Sequence, residues 1–301
     1  MQVEESNKSL NFQHIPVLAD EIINSMLHIP SDLIEGGAIL DGTIGGGGHA
    51  SLILEKFSSI NLIGLDHDPE ARSASKLKLN KFSSRIKIID SNFSNYEPNQ
   101  KFCMALVDLG VSSYQLDNLL RGFSFQTDGP IDMRMNPNTK TTAADLMKLY
   151  DEKKLADTIF NFGEEKFSRR IARKIKNDIA LNGNYSGTKE LANAITTCYP
   201  YKLRRGRIPP ATRTFQALRI AVNNELESLE KLLSNCPDWL LPGGLFCVIS
   251  FHSLEDRRVK NTFKNDLRLN NLTKKPIRAS KLELEKNPRS RSAKLRICQK
   301  V

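Results

Sequence analysis

The stretch from Ile39 to Asp66 constrains the fold of this chain more than any other part of it. An apolar run ends in Asp41, and four consecutive glycines, Gly45–Gly48, follow shortly after it. A short amphipathic segment then leads to a second apolar run, Leu62–Leu65, which is followed by an acid. The order strand, glycine loop, helix, strand and acid is typical of a nucleotide-binding βαβ unit.

The glycine loop restricts the ligands that this unit could bind. No Gly-Lys-Ser/Thr follows the glycines, so the loop is not a Walker phosphate loop, and it is not a regular GxGxxG motif. Asp41 would repel a pyrophosphate but attract a cation, whereas Asp66 could accept hydrogen bonds from both hydroxyls of a ribose. We therefore favour S-adenosylmethionine, which has a sulfonium and a ribose but no phosphate, over a dinucleotide. A purely structural turn is less favoured, because four glycines are costly in chain entropy.

Two further apolar runs predict a third and a fourth strand, at Arg85–Asp90 and Cys103–Val107. The third strand ends in Asp90, and Asp108 follows the fourth, so each of the four predicted strands ends in an acid. Ligands of a doubly wound sheet bind at the carboxyl ends of its strands. Four acids at these ends indicate a binding site, although a single one of them could be a helix N-cap.

The pattern changes after the fourth strand. Residues 111–137 are rich in turn residues, and the stretch beyond them predicts helices with four-residue spacing and no strands. These predicted helices are Ala143–Tyr150, Asp151–Phe162, Glu164–Leu181 and Lys189–Cys198. We interpret the stretch as an inserted helical substrate-recognition domain at 116–210, between two parts of an α/β domain at 1–115 and 211–301.

The two parts of the α/β domain predict further elements. The chain begins with an amphipathic helix, and its last part predicts a long helix, a buried strand, a helix with a capping box of Ser253 and Asp256, and a final edge strand. In chain order these elements are His14–Leu27, Ala211–Leu233, Leu245–Phe251, Leu254–Phe263 and Ala293–Gln299.

Composition indicates a basic cytoplasmic protein. The net charge is +10 and five cysteines are dispersed without a CxxC pair, which predicts reduced thiols and no zinc site. We expect neither a secretory signal nor a membrane span, because no basic start, apolar core or 18-residue apolar run occurs. Basic residues cluster at 166–176, 199–224 and 289–296, which favours a nucleic-acid partner over a merely solvated basic surface.

Nine motifs in order along the chain resemble one protein family, the bacterial 16S ribosomal RNA cytosine-N4 methyltransferases, also called the small-subunit methyltransferase H or MraW family. They are HIPVL (14–18), DGTIGGGGH (41–49), DHDP (66–69), DLGVSS (108–113), RGFSF (121–125), DGPIDMRM (128–135), GEE (163–165), ATRTFQ (211–216) and SFHSLEDR (250–257). The glycine loop and DHDP occur loosely in many methyltransferases, whereas DLGVSS, RGFSF, DGPIDMRM and SFHSLEDR together are highly specific.

The resemblance implies a class I S-adenosylmethionine-dependent methyltransferase, with a Rossmann-like doubly wound sheet and an inserted all-helical domain. It implies N4 methylation of a cytidine in the decoding region of 16S rRNA, as free RNA or in the small ribosomal subunit. The cofactor contacts that it implies are Gly47, Gly48, His49, Asp66, Phe93, Asp108 and Gln115. This chain has Ile44 where the family often has Phe and Ala50 where it often has Ser, but neither position must supply a contacting side chain.

Four residues are catalytic candidates: Asp108, Ser112, Ser113 and His252. The cytosine N4 amine is a poor nucleophile, and a hydrogen-bond acceptor on its protons could help to free the lone pair and later take a proton. The chain lacks the aromatic of the Pro-Pro-Tyr motif found in other amino-methyltransferases, unless Tyr114 or Phe123 substitutes. A structural role for the histidine in its turn is an equal alternative.

Substrate binding is predicted in the basic insertion. We expect Arg169, Arg170, Arg173, Arg204, Arg205 and Arg207 to contact phosphates, and Tyr114, Phe123 and Phe125 to stack on an unstacked target base. Two other functions stay open: a noncatalytic RNA-binding ribosome-assembly factor, and a methyltransferase with a DNA or amino acid side-chain acceptor. The intact glycine loop argues against the first. Oligomeric state is not evident from the sequence.

Overall fold

The computed structural model describes residues 15–301, and its centre is one seven-stranded sheet. The strands are β1 (Ala38–Asp41), β2 (Asn61–Asp66), β3 (Ile86–Asp90), β4 (Phe102–Asp108), β5 (Leu240–Ser250), β6 (Leu269–Asn271) and β7 (Lys294–Lys300). Their order is β3-β2-β1-β4-β5-β7-β6, in which β1 to β5 are parallel and β7 is antiparallel to both of its neighbours. This arrangement confirms the predicted class I methyltransferase fold and places its switch point between β1 and β4.

Thirteen α-helices lie among the described residues. They are α1 (Ala19–Ser25), α2 (Ser31–Ile34), α3 (Gly48–Lys56), α4 (Pro69–Lys78), α5 (Ser113–Asp117), α6 (Ala143–Leu149), α7 (Glu152–Gly163), α8 (Ser168–Asn182), α9 (Thr188–Thr197), α10 (Ala211–Asn223), α11 (Glu225–Trp239), α12 (Ser253–Asn265) and α13 (Lys281–Lys286). No helix in this part of the chain is long and apolar enough to cross a membrane.

Two hydrophobic cores cover the two faces of the sheet. Successive residues of a strand point to opposite faces, so Ile39 lies in the core that α1 and α3 cover, whereas Leu40 lies in the core that α11 and α12 cover. β4 is buried along almost its whole length because helices cover both sides of it. A sheet covered in this way leaves its carboxyl edge as the natural place for a ligand.

A third core belongs to the chain between β4 and β5. It unites α6 to α9 through buried residues such as Leu155, Ile171 and Leu191, and it also takes in Ala211 and Phe215 from the start of α10. Each of these helices presents one apolar stripe, and the stripes meet. The helical insertion therefore has its own core, to which the first turns of α10 contribute.

Three predicted elements were wrong in detail. The helix predicted at Ala211–Leu233 is two helices, because Asn224 takes a left-handed conformation with φ 50°, which asparagine tolerates better than most residues. The strand at 294–300 is not at the edge of the sheet, since β6 pairs with its outer side. β5 begins at Leu240, although residues between 240 and 245 form an irregularity in its register.

The ends of three other helices also differ from the prediction, and one of them, α8, begins at Ser168 and not at Glu164. α12 is capped by His252 and Glu255, because the carboxylate of Asp256 binds Lys294 and Arg296. α1 begins only at Ala19, after Leu18 with φ 54°, and a 3₁₀ turn follows it. His14, at which the first helix was predicted to begin, lies outside the described residues.

Candidate active site

The glycine loop connects β1 to α3 in a tightly packed form. The backbone N–H of Gly42 donates to the carbonyl of Leu106 in β4 at 2.8 Å, which fixes the loop against the centre of the sheet. Gly47 has φ 76°, and a Cβ there would lie 2.8 Å from a methyl group of Leu79. A Cβ on Gly46 would meet no atom within 4 Å, so this side of the loop faces open space. The loop is therefore packed on one side and accessible on the other.

Asp66 ends β2 beside this loop. One of its carboxylate oxygens accepts a hydrogen bond from the N–H of Gly45 at 3.0 Å, and the other accepts one from the N–H of Asp68 at 2.9 Å. Burial raises the pKa of Asp66 although both hydrogen bonds act to lower it. The carboxylate is held in a fixed direction, and each oxygen keeps a second lone pair for a ligand.

A cavity of about 440 Å³ opens next to this acid. Its walls come from the ends of β2 and β3, through His67 and Asn92, and from the junction of α10 and α11, through Asn223 and Asn224. Phe93 begins the turn that follows Asn92 and packs partly against the second core of the sheet. The cavity thus lies between the sheet and the helix that leads back from the insertion.

Three acids meet where β1, β4 and α12 come together. Asp108 ends β4, and its backbone N–H donates to the Thr43 hydroxyl at 2.7 Å. Its Oδ1 atom is buried and has no hydrogen-bond partner in the described part of the chain. Burial, together with the charges of Asp41 and Glu255, raises the pKa of Asp108 well above its ordinary value. Burial and the nearby charge of Asp66 likewise raise the pKa of Asp41 to about 7, against the lowering effect of the hydrogen bond from Thr43 N–H.

Glu255 connects these acids to a network of ions. Its carboxylate accepts hydrogen bonds from the N–H of Phe251 at 2.8 Å and from the N–H of His252 at 3.3 Å. Burial acts to raise the pKa of Glu255, but His252, Arg219 and these hydrogen bonds hold it below its ordinary value. The Arg219 guanidinium in turn binds both oxygens of Glu225 at 2.8 Å.

The same network contains the one group of described residues that could hold a metal ion, formed by Glu225, His252 and Glu255, whose ligand atoms lie within 4.8 Å of one another. Arg219 already occupies both oxygens of the first carboxylate. The histidine Nδ1 accepts a hydrogen bond from the N–H of Glu255 at 3.4 Å, whereas a metal-binding histidine usually donates from its second nitrogen. We therefore interpret the group as an ion-pair network.

The comparisons with known proteins identify the family. Residues 11–301 match the model of the MraW methylase family. The chain belongs to this family. It is 60% identical to ribosomal RNA small subunit methyltransferase H of Prochlorococcus marinus (strain NATL1A), over 98% of this chain and 97% of that protein. It is 54% identical to the protein of that name from Prochlorococcus marinus (strain MIT 9303), over 98% of this chain and 95% of that protein. It is 55% identical to the protein of that name from Synechococcus sp. (strain WH7803), over 96% of this chain and 95% of that protein.

This MraW methylase is an S-adenosylmethionine-dependent methyltransferase, and its residues fit that cofactor. The open side of the glycine loop gives a ligand access to the backbone, and the fixed carboxylate of Asp66 suits ribose hydroxyls. The buried, unpartnered Oδ1 of Asp108 and the nearby Asp41 suit a cationic group. The acids predicted at the carboxyl edge therefore end three neighbouring strands, β2, β1 and β4, and their contacts with the cofactor stay predictions.

Some predicted site residues of this methylase already have partners in the fold. The His49 Nε2 lies 2.9 Å from the carbonyl oxygen of Val17. The Gln115 amide donates to Asp68 at 2.9 Å and, through its oxygen, accepts from the N–H of Ser112 at 3.0 Å in a capping box. The Ser112 hydroxyl accepts from the N–H of Gln115. These contacts position α5, and the roles of Ser112, His49 and Gln115 at the site stay predictions.

The remaining candidates are the catalytic candidate His252 and the three aromatic residues predicted to stack on the target base. His252 lies beside the acid centre, our name for Asp41, Asp108 and Glu255. Its buried Nε2 is 3.2 Å from a Glu255 oxygen without hydrogen-bond geometry. Tyr114 is 49% exposed, whereas Phe123 packs against the core of the insertion and Phe125 contacts the Phe215 ring at a centroid distance of 4.8 Å. The Phe125 side chain therefore contributes to the packing of the insertion core. The side chain of Ser113 lies outside the described part of the structure.

Sequence reasoning counted Arg219 only as part of the basic cluster at 199–224, although its guanidinium is largely buried against Glu225, and it gave Glu255 only as part of a motif. A signal for the arginine is its place in an amphipathic helix, next to the buried Leu218 and Ile220. An arginine in such surroundings needs an acidic partner. That partner, Glu225, lies just beyond the helix break that the sequence did not predict.

Proposed function

We propose that this methyltransferase methylates the exocyclic N4 amine of a cytidine in the decoding region of small-subunit ribosomal RNA. The observation that carries the proposal is the buried Oδ1 of Asp108, which lacks a hydrogen-bond donor at the end of β4. Leaving such an oxygen unpaired is unfavourable, and an amine offers the missing donor. The relatives named ribosomal RNA small subunit methyltransferase H support RNA as the acceptor.

Asp108 has a second property that suits amine methylation. Burial and the neighbouring acids raise its pKa, so that its carboxylate is a stronger proton acceptor than an exposed aspartate. In the proposed mechanism it accepts a hydrogen bond from the amine and then takes the proton that the methylated nitrogen releases. S-adenosylmethionine supplies the electrophilic methyl group when it is bound. Ser112, Ser113 and His252 stay the other catalytic candidates, and their roles are part of the proposal.

We assign cofactor binding to the carboxyl edge of β1 to β4. The contacts proposed are those implied by the family motifs, namely Gly47, Gly48, His49, Asp66, Phe93, Asp108 and Gln115. The polar cavity near His67 and Asn92 supports a place for the adenine, since His67 directly follows Asp66 and Asn92 directly precedes Phe93. The methyltransferase domain would comprise residues 1–115 and 211–301, and residues 116–210 would recognise the substrate.

The substrate would be the small ribosomal subunit or its RNA in the cytoplasm. The net charge of +10 and the basic residues of the insertion support this partner. Contacts with many phosphates make RNA binding steeply dependent on salt, and a modest salt rise would weaken it by a few powers of ten. Methyl transfer to an equivalent DNA strand would favour a methyltransferase with a DNA acceptor. Methyl transfer to no acceptor would favour the noncatalytic RNA-binding assembly factor.

The test is nucleoside mass spectrometry of small-subunit RNA from cells that lack the gene, before and after treatment with the purified protein and S-adenosylmethionine. N4-methylated cytidine should appear after treatment. Asp108→Asn should lower the turnover number by about 10²- to 10⁴-fold, the usual contribution of a proton acceptor. Normal turnover by this variant, with normal cofactor binding, would exclude Asp108 from catalysis.

A matched control is Asp238→Asn. Asp238 lies at the end of α11, its carboxylate is exposed, and it pairs with Arg268 at 2.6 Å. This variant loses the same charge at a residue that does not line the cavity. We expect its turnover to stay close to that of the unchanged protein. An equal loss in both variants would show a general charge effect and not a role of Asp108.

A further inference from the structure

The segment that joins α9 to α10 combines exposed apolar and basic side chains. We call residues 201–208, with the sequence YKLRRGRI, the tip. Its three large apolar side chains are unusually exposed, Tyr201 at 74%, Leu203 at 52% and Ile208 at 57%. The same eight residues carry four cations and no acid. Apolar side chains left in water next to cations indicate a surface that binds a partner.

Most cations of the tip are available for a ligand. Lys202, Arg205 and Arg207 are exposed, and in the described part of the chain no ion pair or hydrogen bond holds their side chains. Arg204 differs, because its guanidinium donates to the carbonyls of Tyr199 at 3.0 Å and Thr197 at 3.2 Å. The tip thus contains one structural arginine and three unpaired cations.

The basic helix α8 offers a useful contrast to the tip. Arg173 pairs with Glu152 at 3.2 Å, and Lys174 pairs with Asp178 at 2.7 Å. Lys176 donates to three backbone carbonyls at the end of α6. Three of the five cations of α8 therefore serve the fold of the insertion. The unpaired positive charge is denser at the tip.

Contacts connect the tip to the candidate active site. The Tyr199 hydroxyl, just before the tip, donates to Glu165 and lies 3.1 Å from the carbonyl oxygen of Pro210, just after it. The neighbouring Glu164 accepts hydrogen bonds from the Ser253 hydroxyl at 2.6 Å and from Arg257 at 2.9 Å. Ser253 directly follows His252, a catalytic candidate, in the turn between β5 and α12. The Tyr199 hydroxyl thus joins the two flanks of the tip to each other and to the segment that holds this turn.

We propose that the tip binds the single-stranded RNA that flanks the target nucleotide. Tyr201 stacks on a base, and Lys202, Arg205 and Arg207 bind the adjacent phosphates. Proteins bind single-stranded nucleic acid by stacking exposed aromatic rings on its bases and by pairing cations with its phosphates. An acidic protein surface would pair with the cations but would not need the exposed ring. The inference rests on the proposed function, because it takes RNA as the acceptor.

The experiment measures binding of a fluorescently labelled single-stranded RNA of about twelve nucleotides by fluorescence anisotropy over a range of salt, using the full chain. Tyr201→Ala should raise Kd by about 5- to 150-fold, the range for one lost base–aromatic stack, and Tyr201→Phe should change it little. Changing Lys202, Arg205 and Arg207 together to Gln should lower the slope of log K against log salt by about two, since each phosphate contact contributes about 0.7.

The matched control changes Lys274, Lys275 and Arg278 to Gln. These residues are exposed in the loop after β6, at the edge of the sheet, and their loss alters the net charge equally. Kd and slope should stay near those of the unchanged protein. Unfolding temperatures of all variants should also be unchanged, because the altered tip side chains are exposed.

Methyl transfer to small subunits, measured in parallel, separates the inference from the proposed function. If the unchanged protein methylates subunits while Tyr201→Ala and the triple Gln variant both bind RNA normally, the inference is wrong and the proposed function stands. If the tip variants lose subunit binding but keep oligonucleotide binding, the tip contacts a ribosomal protein and the inference is also wrong. If the unchanged protein neither binds RNA nor methylates subunits, both proposals fail.

Discussion

Asp41 provides a sharp test of how the acid centre is built. It ends β1, its side chain is 2% exposed, and one carboxylate oxygen accepts the N–H of Thr43 at 3.1 Å. The change Asp41→Asn preserves the shape and this acceptor but removes the ionisable proton. Any effect on the pH dependence of stability therefore reports the burial of the charge.

The magnitude follows from the pKa of Asp41. In the unfolded chain this carboxyl loses its proton near pH 4, whereas burial and the charge of Asp66 raise the pKa in the folded protein to about 7. The folded state binds more protons between these values, so the free energy of unfolding decreases as pH rises through this window. Each pKa unit corresponds to about 1.4 kcal/mol, so the whole effect is about 4 kcal/mol.

The assay is urea unfolding of the cofactor-free protein at pH values from 4 to 8. We expect Asp41→Asn to be close to the unchanged protein at pH 4 and more stable by up to about 4 kcal/mol at pH 8. Asp32→Asn is the control, because Asp32 is exposed on α2 and its change should not alter the profile. A variant that is less stable at pH 8, or whose difference from the unchanged protein does not depend on pH, would refute the reasoning.

The same acid should respond to the cofactor. A cationic ligand lowers the pKa of a nearby carboxyl, so binding of S-adenosylmethionine near pH 6.5 should release protons from the protein. Calorimetry in buffers of different ionisation enthalpy measures this release, and Asp41→Asn should reduce it. Equal proton release by both proteins would place the cation away from this acid.

Three further changes test other parts of the structure. Arg121→Met should destabilise the protein by about 3–5 kcal/mol in urea unfolding, because it leaves the buried Asp68 without its ion pair at 2.9 Å. Gly47→Ala should lower stability by about 1–2 kcal/mol and weaken cofactor binding in calorimetry, since φ is 76° and Leu79 lies too close. Asn224→Ala should destabilise by about 1 kcal/mol, whereas Asn224→Gly should be nearly neutral; equal losses would show that the left-handed conformation is not the cause.

The sheet was largely predictable from the sequence because its signals are local. Apolar runs that end in acids gave β1 to β4 to within a residue or two, and the acids do lie at one edge. The break at Asn224 was missed because the apolar faces of α10 and α11 follow each other at helical spacing. The backbone turn there depends on a left-handed asparagine, which periodicity does not reveal.

The acid centre was only half predictable, for a physical reason. Their place at the ends of apolar runs identifies Asp41 and Asp108, but the raised pKa of Asp108 depends, besides burial and Asp41, on the charge of a third acid, Glu255, from a helix almost 150 residues further along the chain. The partner of Asp68 likewise comes from the insertion. Such long-range ion pairs leave no periodic trace in the sequence.

Three contacts indicate how the insertion and the sheet act together. Arg121 binds Asp68 and Glu70 at the start of α4, directly after Asp66. The Asn223 amide donates to the carbonyl of Met133 at 2.7 Å, which fixes the insertion to the end of α10. Glu164 holds the turn that contains His252 through Ser253 and Arg257. Because these contacts separately reach the end of β2, the cavity and the turn between β5 and α12, we infer that the insertion is held in a fixed position against the carboxyl edge of the sheet. The proposed substrate contacts of the insertion would then require little rearrangement of the sheet domain on binding.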